Sequence, residues 1–380
     1  MPKRVGVFGG SFNPIHNGHL ILAEQVREIA GLDKVIFVPA HVNPFKVGRE
    51  QPSGEDRMRM VELAIGDAPG MEVSDFEILR DGPSYTYDTL MHFREELPED
   101  TEIYFILGSD TLVKLEDWKK GPELIENFGF ISIYRKGESR KKVDQVCARL
   151  KAKYPTCNIR IFESPELEIS SSDMRERLRF GQSIKFITPD PVIEYIESHG
   201  LYDSLTRRLG TFVRKNVKPS RFAHTIHVVR KAQELCERYG VSQEIREKVE
   251  TAAIFHDAYR DEGNLSHGPL AAEHLEMDWG ITDPDILNAV RYHTTGHAEE
   301  GLTEIILKMA DLLEETRTYA EVAKLRASIT DDLYGSYLMI MERLKVHEEQ
   351  SGHGCHPDTQ ACIDWLKNTA AVPKGGDHGK

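Results

Sequence analysis

Over the first 203 residues of this 380-residue chain, short apolar runs alternate with amphipathic stretches, and beyond residue 204 the runs stop. The runs are "RVGVF", "KVIFVP", "IYFILG", "FGFISIY" and "IRIFE". Strands separated by helices rather than by tight turns cannot pair as hairpins. The pattern therefore predicts an α/β doubly wound parallel sheet with helices on both faces. "PDPVIEYIESHGLYDS" predicts the helix that closes this unit. After it, "HTIHVVRKAQELCERYG", "EIREKVETAAIFHDAY", "PDILNAVRYH" and "TEIILKMADLLEETRTYAEVAKL" space their apolar residues by three and four, which predicts an all-α domain. The change sets boundaries of 1–203 for the sheet domain and 204–368 for the helical one. The charged "SLTRRLGTFVRKNVKPSR" reads as a direct connection between them, and the polar, Gly-rich residues 369–380 as a disordered tail.

A formal net charge of −14 argues against coating nucleic acid or a membrane surface, both of which favour basic excess. It leaves room for nucleotide ligands, because a local group of Lys and Arg can hold phosphate in an acidic protein. No apolar run is long enough to span a bilayer, and "MPKRVGVFGG" leads straight into a strand without a signal-like core. The five cysteines (Cys147, Cys157, Cys236, Cys355 and Cys362) lack CxxC spacing and read as reduced thiols. A cytoplasmic location is the expectation.

In "GVFGGSFNPIHNGHL" a strand ends at Gly9 and Gly10 and a helix begins near Asn17 or Gly18, with His16 and His19 at its first turn. Ligands of open parallel sheets sit beyond the carboxyl ends of strands, and a helix start favours anions. Two imidazoles there can bond phosphate oxygens as charge develops. The stretch is neither GxGxxG nor GxxxxGK[ST], so neither phosphate-loop signature applies. "EISSSDMRERL" supplies a second such start, with Ser170 and Asp173 fitting a capping box and Arg175 following. The pair suggests a clamp on a polyphosphate.

"GGSFNPIHNGHL" and "ISSSDMR" resemble the HxGH and ISSTxxR signatures of the nucleotidyltransferase superfamily. "VPAHVNPFK", "DRMRMVELAI", "DGPSYTYDTL", "FILGSDTLVKLEDWKK" and "GQSIKFITPDPVIEYIESHGLY" resemble nicotinate-mononucleotide adenylyltransferases in order and spacing. The likeness implies transfer of AMP from ATP to nicotinate mononucleotide, with Mg²⁺ accompanying ATP, to give deamido-NAD and pyrophosphate. It implies that His16, His19, Lys46, Ser170, Ser171 and Arg175 contact the ATP phosphates. Gly9, Gly10, Ser11 and Phe12 would approach the nucleotide backbone-first. Thr86, Asp110, Trp118 and Arg135 would lie on the nicotinate side, with Trp118 stacking on the pyridine ring. Ser172 stands where the family has Thr, and "PFK" where PHK is commoner. Nicotinamide mononucleotide and phosphopantetheine are the rival acceptors.

In the second half, "IFHDAY" puts His256 and Asp257 side by side on an expected helix, with His224 on an earlier helix and Asp311 inside "IILKMADLLEE". A carboxylate buried without a partner costs several kcal/mol, about 3–5 when one partner of a pair is removed. A metal offsets that. Two His and two Asp suit six-coordinate iron, Mn²⁺ or Mg²⁺ better than a closed zinc site. The ordered set resembles the HD phosphohydrolase superfamily. "RFAHT", "HDAYR", "SHGPLAA", "RYHTTG", "ADLLE" and "HPDT" look more narrowly like HD-type symmetrical bis(5′-nucleosyl)-tetraphosphatases, which hydrolyse diadenosine tetraphosphate to two ADP with iron the implied metal. By that likeness His224, His256, Asp257 and Asp311 hold metal. Arg221, Arg260, His267, His293, Thr294, Arg317 and the segment Gly354, Cys355, His356, Pro357, Asp358 and Thr359 hold the nucleotide. Arg260 replaces a commoner Lys, and Asp257 and His267 are closer in sequence than usual. Action on another nucleotide phosphate, or sensing of a dinucleotide without turnover, are the alternatives for this half.

Overall fold

The computed structural model describes residues 3–41, 52–80, 82–134, 140–163, 169–260, 266–318, 320–350 and 354–370. The chain divides into two compact units, residues 1–178 with 182–203, and residues 179–181 with 204–380. No helix among the described residues is long and apolar enough to cross a membrane.

In the first unit the strands are β1 (Arg4–Gly10), β2 (Lys34–Pro39), β3 (Met71–Val73), β4 (Glu102–Gly108), β5 (Gly129–Ile133) and β6 (Asn158–Phe162). They form one sheet in the order β3-β2-β1-β4-β5-β6, and every pairing is parallel. The five quoted apolar runs are β1, β2, β4, β5 and β6. β3 has only three residues, "MEV", too few to carry a periodic signal. The helices are α1 (Asn17–Ala30), α2 (Gly54–Ile65), α3 (Thr86–Glu96), α4 (Ser109–Leu112), α5 (Gly121–Asn127), α6 (Arg140–Lys153), α7 (Ser171–Arg179) and α8 (Asp190–Ser198). Successive residues of β4 serve opposite faces: Ile103, Phe105 and Leu107 enter one apolar cluster, Tyr104 and Ile106 the other. That is period two with both faces covered, as a doubly wound sheet requires. The strand order reverses between β1 and β4, where such sheets leave a crevice for ligands.

The second unit has nine helices among the described residues. They are α9 (Leu205–Asn216), α10 (Pro219–Arg238), α11 (Gln243–Phe255), α12 (His267–Trp279), α13 (Pro284–Tyr292), α14 (Leu302–Leu313), α15 (Ala320–Ser328), α16 (Leu333–Gln350) and α17 (Pro357–Ala370). Three sequence expectations are corrected here. The charged "SLTRRLGTFVRKNVKPSR" is no linker: its Leu209 and Val213 fall on one face of α9 and are fully buried in this unit's core. The stretch read as one helix from Thr303 to Leu325 breaks after Leu313, where the Glu314 side chain takes the Thr316 amide and hydroxyl into a turn. His256 and Asp257 are not inside a helix, because α11 ends at Phe255 and the pair occupies the turn beyond it.

Candidate active sites

The first site is built at the end of β1. His16 is the N-cap of α1, and His19 lies one turn in, its Nδ1 accepting from the His16 amide at 3.3 Å. The two rings stack with centroids 3.7 Å apart. Gly18 is required between them, since a Cβ there would lie 2.9 Å from His16 Nδ1. Phe12 adopts a left-handed backbone (φ 43°) and packs edge-on against His19 and Phe8. The turn before the histidines is fastened by side chains from elsewhere in the unit. Ser171 Oγ donates to the Pro14 carbonyl at 2.9 Å and Arg175 to the Asn13 carbonyl at 2.6 Å. Thr188 donates to the Ile15 carbonyl at 2.9 Å, and Tyr202 to Asn13 Oδ1 at 2.6 Å. Ser170 caps α7 with Asp173, its Oγ accepting the Asp173 amide at 3.0 Å.

Of the residues read as phosphate contacts, His16, His19, Ser170, Ser171 and Arg175 are brought together, although Ser171 and Arg175 meet the His16 turn itself. Gly9 and Gly10 end β1, and Ser11 opens the turn. Thr86 is the first residue of α3, and exposed Asp110 lies in α4, which follows β4 directly. Trp118 lies between a short 3₁₀ turn and α5, half-buried and edge-on to Phe105 at 5.9 Å. Lys46 and Arg135 lie outside the described residues.

The second site gathers side chains from α10, the turn after α11, the start of α12, the end of α13, and α14. Three imidazoles are each held through Nδ1: His224 against Glu314 Oε1 at 3.3 Å, His256 on the Ala253 carbonyl at 2.8 Å, and His293 on the Val290 carbonyl at 2.7 Å. Anchoring one ring nitrogen fixes the tautomer and aims the other, the usual preparation of a metal-binding histidine. The freed atoms converge. Ligand atoms of His224, His256 and Asp257 lie within 4.8 Å of one another, as do those of Asp257, His267 and His293. His224 Nε2, His256 Nε2 and Asp257 Oδ1 are buried without a hydrogen bond. Buried polar atoms aimed together in this way fit a divalent cation, with Asp257 common to both groups.

Asp311 stands beside this set without joining either group. Its Oδ1 is 3.1 Å from His224 Nε2 and accepts from Arg317 at 2.7 Å. Burial pushes the His256 pKa down to about 4, leaving the neutral imidazole that binds metal. Burial would raise the Asp257 carboxyl, but the surrounding His256, His267 and His293 hold it far below the usual carboxylate range. Asp311 is likewise held low against its burial by His224 and Arg317. His224 is raised despite burial because Asp311 and Asp257 face it.

Above the site opens a cavity of about 450 Å³ lined by Ser220, Arg221, His224, Arg260, Glu314, Thr316, Arg317 and Thr318. Arg221 pairs with Asp257 Oδ2 at 2.7 Å, and Arg260 approaches His267 Nε2 at 2.9 Å. Arg221, Arg260 and Arg317 balance Asp257, Asp311 and Glu314, so an added divalent cation leaves the site positive and suited to a phosphate. Thr294, half-buried, follows His293. The Gly354–Thr359 segment makes its contacts with α16 and the Thr295 carbonyl: the His356 amide bonds Glu348, and Thr359 Oγ1 donates to Thr295 at 3.0 Å. Cys355 Sγ meets the His356 carbonyl, Asp358 bonds back to His356, and Gly354 and Pro357 are exposed. Glu314, the carboxylate that orients His224, escaped the sequence reading. It closes the quoted "ADLLE" stretch, where no role was assigned to it, and the approach of α10 that makes it matter is not written in α14.

A family model described as cytidylyltransferase-like matches residues 7–177, and one for the HD domain matches residues 221–316. The probable nicotinate-nucleotide adenylyltransferase of Dehalococcoides mccartyi is 42% identical over 199 residues, 52% of this chain and 97% of that protein. The corresponding protein of Desulfitobacterium hafniense is 42% identical over 205 residues, 53% of this chain and 96% of its own length. Among solved structures, Plasmodium falciparum nicotinic acid mononucleotide adenylyltransferase complexed with NaAD aligns at TM-score 0.44 and 24% identity, over 53% of this chain and 98% of its own. A predicted HD superfamily hydrolase involved in NAD metabolism from Clostridium acetobutylicum aligns at TM-score 0.38 and 24% identity, over 43% and 96%.

Proposed function

The chain belongs, through its first half, to the nicotinate-nucleotide adenylyltransferase family and carries an HD domain in its second half; we propose on that premise that it is a two-site enzyme. The first unit transfers AMP from ATP to nicotinate mononucleotide. A phosphate oxygen of the mononucleotide attacks the α-phosphorus in line. The new P–O–P bond forms as the bond to the bridging oxygen of the β-phosphate breaks, and pyrophosphate departs. Mg²⁺ arrives with ATP as part of the substrate. His16, His19 and the start of α1 face the triphosphate, and Arg175 steadies the turn that carries them. They position the phosphates and stabilise developing charge, without a covalent intermediate. The observation carrying this reading is the stacked His16–His19 pair at a helix start, in a turn fastened by Ser171, Arg175 and Thr188.

The second unit hydrolyses a nucleotide polyphosphate, diadenosine tetraphosphate to two ADP being the specific proposal. His224, His256, Asp257 and Asp311 would hold a divalent metal, with iron, Mn²⁺ or Mg²⁺ suited to nitrogen and carboxylate donors without thiolate. Bound there, a metal supplies Lewis acidity and an activated water. Arg221, Arg260 and Arg317 neutralise the phosphate chain and orient the bond to be cut. The three Nδ1-anchored imidazoles around Asp257 carry this reading.

Purified full-length protein tests both halves. Deamido-NAD and pyrophosphate should form from ATP and nicotinate mononucleotide, and ADP from diadenosine tetraphosphate in step with bound metal. His19→Ala should lower adenylyl transfer by about 10²-fold or more while ADP release and metal content stay at wild-type values. Equal loss of both activities in a folded variant would contradict two separate sites. ADP release that never rises above background across metals would remove the hydrolase half of the proposal.

A further inference from the structure

Arg57 is the largest fully buried side chain among the described residues, 1% exposed, in the first turn of α2. No motif in the sequence singles it out beyond "DRMRMVELAI". Its guanidinium is spent entirely on backbone. Nη1 donates to the Ser11 carbonyl at 2.9 Å, Nη2 to the His41 carbonyl at 3.1 Å, and Nε to the Pro52 carbonyl at 3.3 Å. Among the described residues it forms no ion pair, and burial pulls its pKa down. A buried guanidinium is costly to desolvate, so its place calls for a reason.

The reason lies in where the three carbonyls are. β1 and β2 stay in register as far as Gly10 opposite Pro39, and the Ala40 amide makes the next bond, to the Gly10 carbonyl at 2.9 Å. One residue further on, backbone pairing gives way to the side chain. Ser11 and His41 are joined through the Arg57 fork, at the carboxyl ends of the strands where parallel sheets bind ligands. The His41 peptide is also held from its other side, its amide bonding Ser84 Oγ at 3.1 Å. The Ser11 carbonyl, in turn, opens the turn whose Asn13, Pro14 and Ile15 carbonyls are taken by Arg175, Ser171 and Thr188.

We propose that Arg57 is a positioning residue for adenylyl transfer: it continues the β1–β2 pairing past the end of the sheet and so sets the turn that presents His16 and His19 to the triphosphate. A planar fork with donors in fixed directions can hold two diverging carbonyls and a third, whereas the point charge of a lysine cannot. The role rests on the adenylyltransferase reading of the first unit. It predicts a specific kinetic pattern. A loosened turn still binds substrates through its remaining contacts but misaligns the reacting groups, and a misplacement of about 1 Å costs about 10²-fold in rate.

The test compares wild type, Arg57→Lys and Arg57→Gln as full-length chains, with kcat and KM for ATP and for nicotinate mononucleotide measured beside thermal unfolding. Arg57→Lys should lose about 10²-fold in kcat with both KM values within a few-fold of wild type. Arg57→Gln, with two donor positions in less volume, should lose as much. Folded variants with wild-type kcat, or with only KM raised, would overturn the role. Failure of both variants to fold would also overturn it, in favour of a purely structural arginine. A wild type that makes no deamido-NAD would instead overturn the activity reading, and this role with it.

Discussion

Asp257 shows how much one side chain can be asked to do when its neighbours are fixed first. Its two oxygens face different groups: Oδ2 takes Arg221 at 2.7 Å, while Oδ1 lies 3.1 Å from His267 Nε2 and 3.6 Å from His293 Nε2. Asp257→Asn keeps the shape and removes the charge, so it should sharply lower metal content and abolish ADP release from diadenosine tetraphosphate, with adenylyl transfer unchanged. Elemental analysis beside product assays decides it, and full metal with full turnover would show that Asp257 is no ligand. Glu77 in the first unit offers a different residue-scale prediction. Burial raises its pKa above 4.5, against the opposing hydrogen bonds of Thr89 and Ser84. The folded state thus holds this proton longer than the unfolded chain. That contribution to stability is fully present below pH 4.5 and is lost as pH rises through the raised folded value. Glu77→Gln should therefore gain stability relative to wild type as pH climbs above 4.5. Equal differences at acidic and neutral pH would show that Glu77 does not carry the effect.

At the scale of elements, the second site depends on how closely helices approach. Gly268 follows His267 in α12, and a Cβ there would lie 2.7 Å from the Arg291 carbonyl and 3.0 Å from that of Val290. Val290 O is the acceptor that anchors His293, so the same contact that brings α12 against α13 also brings the two imidazoles to 3.0 Å. In an isolated helix, Ala in place of Gly would add about 1 kcal/mol of stability. Here the sign should reverse, because the added methyl meets backbone that cannot turn aside, at a cost of about 1–3 kcal/mol. Gly268→Ala should lower the unfolding midpoint of the second unit and its metal affinity together. A variant that is more stable than wild type and fully metallated would show that α12 and α13 have room to part. Arg326 of α15 plays a comparable part at the far end of α14, donating to the Leu313, Glu314 and Arg317 carbonyls and so fixing the turn that bears Arg317.

For the molecule as a whole, each cluster of buried apolar side chains lies within one unit, two on the faces of the sheet and one among the helices. A metal bound only by the folded second unit stabilises that unit by mass action, by about 2.7 kcal/mol at a hundredfold excess over Kd. Removing the bound metal by chelation, and then the chelator, should lower one calorimetric transition and abolish ADP release measured without added metal, while Mg²⁺ supplied with ATP still supports the first unit. Deamido-NAD synthesis should remain intact, and its parallel loss would contradict independent cores. The parallel sheet and the all-α half were legible in the sequence because period two and period three-to-four are local consequences of backbone geometry. The same locality made "GGSFNPIHNGHL" and "HDAYR" readable, since their residues are neighbours along the chain. It also explains what was missed. α9 was masked by charge, because only its packing shows that Leu209 and Val213 are the face that matters. Glu314, Gly268 and Arg57 are ordinary letters in their own segments. What gives them meaning is a partner 90 residues away at His224, 23 away at Arg291, or 46 away at Ser11. The sequence by itself determined the parallel sheet of the first half, the helices of the second and the motifs placed on them, apart from β3, α9 and the ends of α11 and α14. Only the tertiary structure decided which carbonyl, carboxylate or imidazole each side chain holds in place, because hydrogen bonds and close contacts depend on distances that chain order does not set.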